Sequence, residues 1–109
     1  MQERNIQRRV RPTHPGAILG NMLEELAADE GQLPSLTQKE LAKRLGVSQR
    51  AVSELVRERR KMTADMAIRL SRVFKTTPDI WMNLQKAVDL WDAAQANKND
   101  YAKLRPLAA

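Results

Sequence analysis

The chain has 109 residues, no cysteine, one histidine and a net charge of +6. That length accommodates one domain with tails, and the lack of cysteine excludes disulfides and thiolate metal sites. Aromatics make up 4% of residues against 42% hydrophobic, so the core must be aliphatic, and no apolar run approaches the ~18 residues of a membrane span.

The positive charge is unevenly placed. Residues 1–14 carry four arginines and one glutamate, while 15–36 hold four acids and no base. Residues 37–75 carry eleven basic and four acidic groups, and 76–109 balance four against four. Positive charge therefore collects on an N-terminal arm and a central stretch, as a polyanion binder requires. The competing reading is an ordinary solvated Lys/Arg surface.

Residues 1–13 are charged and aperiodic, and read as a flexible basic arm. They carry no apolar core of a signal peptide. Arg8, Arg9 and Arg11 could follow a phosphate backbone or contact a partner. A domain is expected over 14–92, opening with a helix near His14-Pro15-Gly16, since proline suits the first helical position. Ile18, Leu19, Met22, Leu23 and Leu26 recur at helical spacing, with Glu24, Glu25, Asp29 and Glu30 mainly opposite. His14 reads as a cap for that helix rather than a ligand or catalyst. Gly31 to Leu36 reads as a loop that Pro34 keeps from becoming helix.

Thr37 to Arg60 is the organising stretch. Leu41, Leu45, Val47, Val52 and Leu55 fit two short crossed helices on one small core. Thr37 and Glu40 form a Thr-x-x-Glu capping box, Gly46 marks the turn, and Ser48 can cap the second helix. This is the outline of a helix-turn-helix over 37–58, whose second helix enters the major groove of DNA. Gln49 and Arg50 are the expected base readers, because glutamine matches adenine and arginine matches the guanine O6/N7 pair. Ser48, Ser53 and Arg57 share that side of the helix. Gln38, at the positive end of the first helix, can donate to a phosphate. Lys39, Lys43, Arg59, Arg60 and Lys61 would add non-specific phosphate attraction. For each residue the plainer reading is a solvated surface side chain.

Thr63-Ala64-Asp65 opens a further helix with Met62, Met66, Ala67, Leu70, Val73 and Phe74 as its buried stripe. Thr77-Pro78-Asp79 starts a long last helix expected over about 78–94, Thr77 serving as its cap. Trp81, Leu84, Val88 and Trp91 recur there at intervals of three, four and three, and Trp91 especially suggests a dimerisation surface. Residues 95–109 read as a flexible tail. The expected fold is all-α, with five helices and tails at both ends.

With these residues in place, the chain resembles the Cro/C1-type (XRE) helix-turn-helix family, of lambda-repressor-like fold, and within it the HigA-type antitoxins. Three blocks carry the resemblance: Arg11-Pro12-Thr13-His14-Pro15-Gly16 with Ile18-Leu19; Leu36 through Leu55; and Thr63-Ala64-Asp65-Met66-Ala67-Ile68-Arg69-Leu70 leading to Thr77 through Gln85. The resemblance implies a dimer that represses its own operon on a palindromic operator, and that binds and neutralises a HigB-like, RelE-fold ribonuclease toxin. It implies no enzyme activity, no cofactor, no metal and no small-molecule ligand. A cytoplasmic, nucleoid-associated location would follow.

Two departures stand out. The connection from Asp29 to Leu36 is longer than usual, and Glu58 stands where the family commonly has a helix-ending glycine. Either Glu58 takes a positive φ or the recognition helix runs on. A repressor without a toxin partner is the alternative reading. A small hydrolase has too few acid/base or ligand groups to be favoured, and a pure interaction module would not need Gln38, Gln49 and Arg50.

Overall fold

The computed structural model describes residues 9–28 and 36–108; among them are six helices and no strand. These are α1 Pro15–Ala28, α2 Gln38–Leu45, α3 Gln49–Val56, α4 Ala64–Phe74, α5 Pro78–Ala96 and α6 Lys98–Ala102. The first five match the expected order. The short α6 lies inside the stretch read as a tail. Residues 1–8, which include Arg8, and the connection through 29–35 lie outside the described residues.

Each central helix is bounded by a local device. Thr37 Oγ1 accepts from the Glu40 N–H at 3.1 Å, Ser48 Oγ from Ala51 at 3.0 Å, and Thr63 Oγ1 from Met66 at 3.2 Å. Each bond satisfies a backbone donor that the first turn would leave bare. The capping box is only half made: the Glu40 carboxylate lies 3.9 Å from Arg44 Nε, one turn on. Thr77 has cap-like backbone angles, yet its hydroxyl makes no capping bond, and α5 starts on Pro78 and Asp79 alone.

The ends of α2 and α3 share one geometry. At the close of α2, Gly46 takes φ 72°, Val47 N–H reaches Ala42 O at 3.0 Å and Gly46 N–H reaches Lys43 O at 3.2 Å. The same pair of bonds closes α3, with Arg59 N–H on Glu54 O at 2.8 Å and Glu58 N–H on Leu55 O at 3.0 Å. This is the Schellman arrangement, which needs a left-handed residue past the last turn. In α3 that residue is Glu58, at φ 61°. Of the two alternatives for Glu58, the positive φ is the one adopted, and α3 stops at Val56.

Arg69 adds a bond that local pattern could not reveal. From α4 its Nη1 donates to Leu45 O at 2.7 Å, satisfying a carbonyl at the end of α2, while its Nε holds Asp65 at 2.8 Å.

Leu19, Leu41, Leu45, Val52, Leu55, Ala67, Leu70 and Trp81 form the buried centre, where α1 to α5 converge. Gly16 marks the tightest approach. A Cβ built there would lie 1.7 Å from Leu55 O, so α1 touches the backbone of α3 directly. Gln85, 4% exposed, joins α5 to the segment before α4 by accepting the Met62 N–H at 2.8 Å.

His14 starts α1 as expected. It is 5% exposed, and its Nδ1 accepts from the Gly16 N–H at 2.9 Å. Burial lowers its pKa, with Arg11 adding to the effect and Glu58, Asp89 and Asp92 opposing it. Protonation would also convert the Nδ1 acceptor into a donor facing another donor. The unfolded chain therefore takes up this proton first as pH falls. Stability from neutral His14 is complete above about pH 7 and is lost as pH drops through about 6.5 towards the lower folded value. Thermal melts between about pH 7.5 and 5.5, above the carboxylate range, should show a falling Tm. His14→Asn, whose carboxamide oxygen can accept the same bond without titrating, should be flat there. A flat profile in the unaltered protein would contradict this role.

Candidate nucleic-acid interface

Ser48 sets the geometry of the exposed face. By capping α3 it ends the turn from α2 and leaves Gln49 and Arg50 as the first two helical residues, both exposed. The Arg50 side chain is 87% exposed, so its guanidinium stands clear of the protein surface. Ala51, Val52 and Leu55 occupy the buried side of the same helix. Helical period thus divides α3 into an inward aliphatic half and an outward polar half, with Ser53 half-buried at the boundary.

The other residues expected at the interface fall into two groups. Lys39 and Lys43 are exposed on α2, and Gln38 is half-buried at its first position, beside a shallow groove bordered by Gly20 and Glu24. Arg57, Arg59 and Arg60 are exposed in and after the last turn of α3. Arg60 folds back along α3, its Nη2 lying 3.5 Å from Glu54 Oε2. Arg59, Arg60 and Lys61 all border a charged cavity shared with Arg11, Glu58, Asp89 and Asp92. Lys61 lies 3.5 Å from Asp89 of α5. The structure therefore gathers Ser48, Gln49 and Arg50 at the start of α3, while Arg59, Arg60 and Lys61 border the cavity against α5 and Arg60 also reaches back to Glu54.

Glu54 is the residue that reading by type passed over. Its Oε1 accepts from Arg50 Nε at 2.7 Å, and its other oxygen faces Arg60. The Arg50 hydrogen bond, with Arg60 behind it, holds the Glu54 carboxyl below the usual carboxylate range. The signal was present in the sequence, since positions 50 and 54 are one helical turn apart.

Arg11 carries a second ionic cluster. Its Nε and Nη2 each lie 2.8 Å from an oxygen of Asp92, and its Nη1 lies 3.5 Å from Glu58. This two-pronged pairing keeps the Asp92 carboxyl below its usual range. It also fixes the end of the arm against α5, where Pro12 is buried.

The seam expected to meet a second copy needs correction at two of its four positions. Trp81 is 2% exposed and Val88 1% exposed, both inside the protomer's own core. Trp81 Nε1 donates to Thr76 Oγ1 at 2.9 Å. An aliphatic core of this size uses its large aromatic as internal filling, so Trp81 and Val88 offer nothing to a partner. Leu84 and Trp91 are half-buried, and Ile80, which the seam omitted, is 51% exposed beside Leu84. Among the described residues no group of three or more His, Cys, Asp or Glu side chains could hold a metal ion. No helix among them is long and apolar enough to cross a membrane.

Comparison with known proteins identifies the family and the fold. The helix-turn-helix family profile matches residues 34–81. The uncharacterised HTH-type transcriptional regulator YbaQ of Escherichia coli is 47% identical over 83 residues, which are 75% of this chain and 66% of that protein. Antitoxin HigA-1 of Vibrio cholerae is 38% identical over 72 residues, 66% of this chain and 68% of the antitoxin. Among solved structures, PA4674 of Pseudomonas aeruginosa in complex with its operator DNA superposes with a TM-score of 0.78 at 42% identity, covering 91% of this chain and 98% of that one. The Pseudomonas aeruginosa antitoxin HigA with the higBA promoter gives 0.77 at 40% identity, covering 89% and 99%. The six-helix architecture, the capped helix-turn-helix and these relatives together show that the chain belongs to the HigA-type branch of the Cro/C1-type (XRE) helix-turn-helix family, a family of non-enzymatic DNA-binding regulators.

Proposed function

We propose that this protein is an antitoxin and autorepressor: a homodimer that reads a palindromic operator through α3 and neutralises a HigB/RelE-like ribonuclease toxin. The observation that carries the DNA reading is the Ser48-capped start of α3, which holds Gln49 and Arg50 exposed at the end that such helices place against base edges. Two relatives of the same fold are solved with operator or promoter DNA, which supports it. In the dimer, two α3 helices would sit roughly 34 Å apart, one turn of DNA. Ile80 and Leu84, the partly open apolar positions on the outer side of α5, are the best surface for the second copy.

In this reading Gln49 and Arg50 read bases, with Ser48 and Ser53 beside them. Gln38 donates to a phosphate, and Lys43, Arg57, Arg59 and Arg60 supply phosphate attraction. Arg50→Ala should weaken binding to duplex DNA selected by the protein from a random pool by about 1–3 kcal/mol and barely change binding to unselected DNA. Lys43→Ala should weaken both and reduce the salt slope by about one. Equal losses for Arg50→Ala on both DNAs would refute base reading.

The antitoxin half is tested by co-expressing the chain with a HigB-like reading frame adjoining its gene. Rescue of growth supports it. The alternative, a stand-alone or prophage-type repressor, gains if no such frame adjoins and candidate toxins are not neutralised.

A further inference from the structure

We infer that Glu54 is a specificity-determining residue of the DNA-reading face, acting by orienting Arg50; the inference rests on the base-reading role proposed for that arginine. A long arginine side chain on a helix surface samples many rotamers, and holding it in one carries an entropic cost on binding. Here that ordering is done in advance. Glu54 Oε1 takes Arg50 Nε at 2.7 Å, so both terminal nitrogens of the guanidinium remain for a base edge. A guanine O6/N7 pair needs two such donors held in one plane.

Burial separates the roles of the two partners. The Arg50 side chain is 87% exposed and the Glu54 side chain 28%, so the carboxylate is recessed and the guanidinium projects beyond it. Glu54 is the one acid within α3. It remains ionised because Arg50 and Arg60 both stabilise its charge. Against DNA this carboxylate has a second effect. It disfavours close approach of phosphates and occupies two guanidiniums that would otherwise bind phosphate indiscriminately. Wrong sequences thus meet a like charge with no base contact to offset it. Loss of Glu54 should raise affinity for unselected DNA while discrimination declines.

The test uses the full chain, wild-type-selected duplex DNA, and the same duplex with one base pair altered at the guanine that depends on Arg50. Glu54→Ala should reduce discrimination between these duplexes about tenfold, a part of what a bidentate arginine–guanine contact supplies. Glu54→Gln, which keeps an acceptor for Arg50 Nε, should reduce it less, and should fold even if the alanine variant does not. In an Arg50→Ala background, Glu54→Ala should leave discrimination at that pair unchanged. Unaltered discrimination in both Glu54 variants, or an equal loss on all DNAs together with a lowered melting temperature, would overturn the inference. Failure of base reading itself would appear separately, as an Arg50→Ala variant that discriminates as well as the parent.

Discussion

Replacing Gly16 with alanine should lower the melting temperature by roughly 15 °C, the largest effect expected from adding a single methyl group. The new Cβ would lie 1.7 Å from Leu55 O and 2.8 Å from Leu55 C, and neither is the movable end of a side chain. That carbonyl also accepts the Glu58 N–H, so pushing it aside disturbs the bonds that close α3. Overpacking of this kind costs about 3 kcal/mol, and in a domain this small each kcal/mol moves Tm by roughly 4–8 °C. Gly20→Ala is the internal control. Its Cβ would meet Val56 Cγ1 at 3.2 Å, a side-chain methyl that can give way, and alanine favours the helix by about 1 kcal/mol. Calorimetry on the two variants decides the matter: a Gly16→Ala melt within about 2 °C of the parent would mean that α1 and α3 are not locked at this point.

Trp81→Ala should be comparably severe, and how it fails carries the information. Truncating a buried tryptophan costs about 3–5 kcal/mol, a large share of the roughly 5–15 kcal/mol that stabilises such domains. The bond to Thr76 Oγ1 is lost as well. Because Trp81 is buried within one protomer, the drop in Tm should have the same size over a hundredfold range of protein concentration. A residue at a subunit seam would behave differently, its loss appearing as dissociation that concentration can reverse. Sedimentation showing a folded monomer with an unchanged Tm would therefore return Trp81 to the interface and contradict the packing described above.

These two residues also mark how far the sequence could be read. Thr37 and Ser48 were legible as caps, and Thr63 as a helix start, because each bonds within three residues. Gly46 was legible for the same reason. Thr77 has the same local pattern but makes no such bond. Arg69 on Leu45 O, Gln85 on the Met62 N–H and Arg11 on Asp92 join positions 24, 23 and 81 residues apart. Only the tertiary fold brings those together. The seam of Trp81, Leu84, Val88 and Trp91 lies between these cases. Its spacing shows that one side of α5 is apolar, but periodicity is blind to whether that side meets its own core or another chain. Glu54 was missed for a simpler reason, since an acid in a basic stretch looks like dilution of the charge until its partners are seen.

Glu58 offers a different lesson, in the thermodynamics of the unfolded chain. At φ 61° the native state carries a strain of about 1–2 kcal/mol that glycine would avoid. Glycine, however, gives the denatured ensemble more freedom to lose on folding, by about 0.5–1 kcal/mol. The second term offsets only about half of the first, so glycine would remain favoured at this position by roughly 0.5–1 kcal/mol of backbone free energy, a cost that the charge at 58 must answer. A carboxylate at 58 breaks the run of Arg57, Arg59, Arg60 and Lys61 and gives Arg11 a second acid 3.5 Å away. The helix end that departs from the family pattern thus carries a small residual backbone cost, and what it gains is local electrostatics: one negative charge set within the most basic turn of the protein.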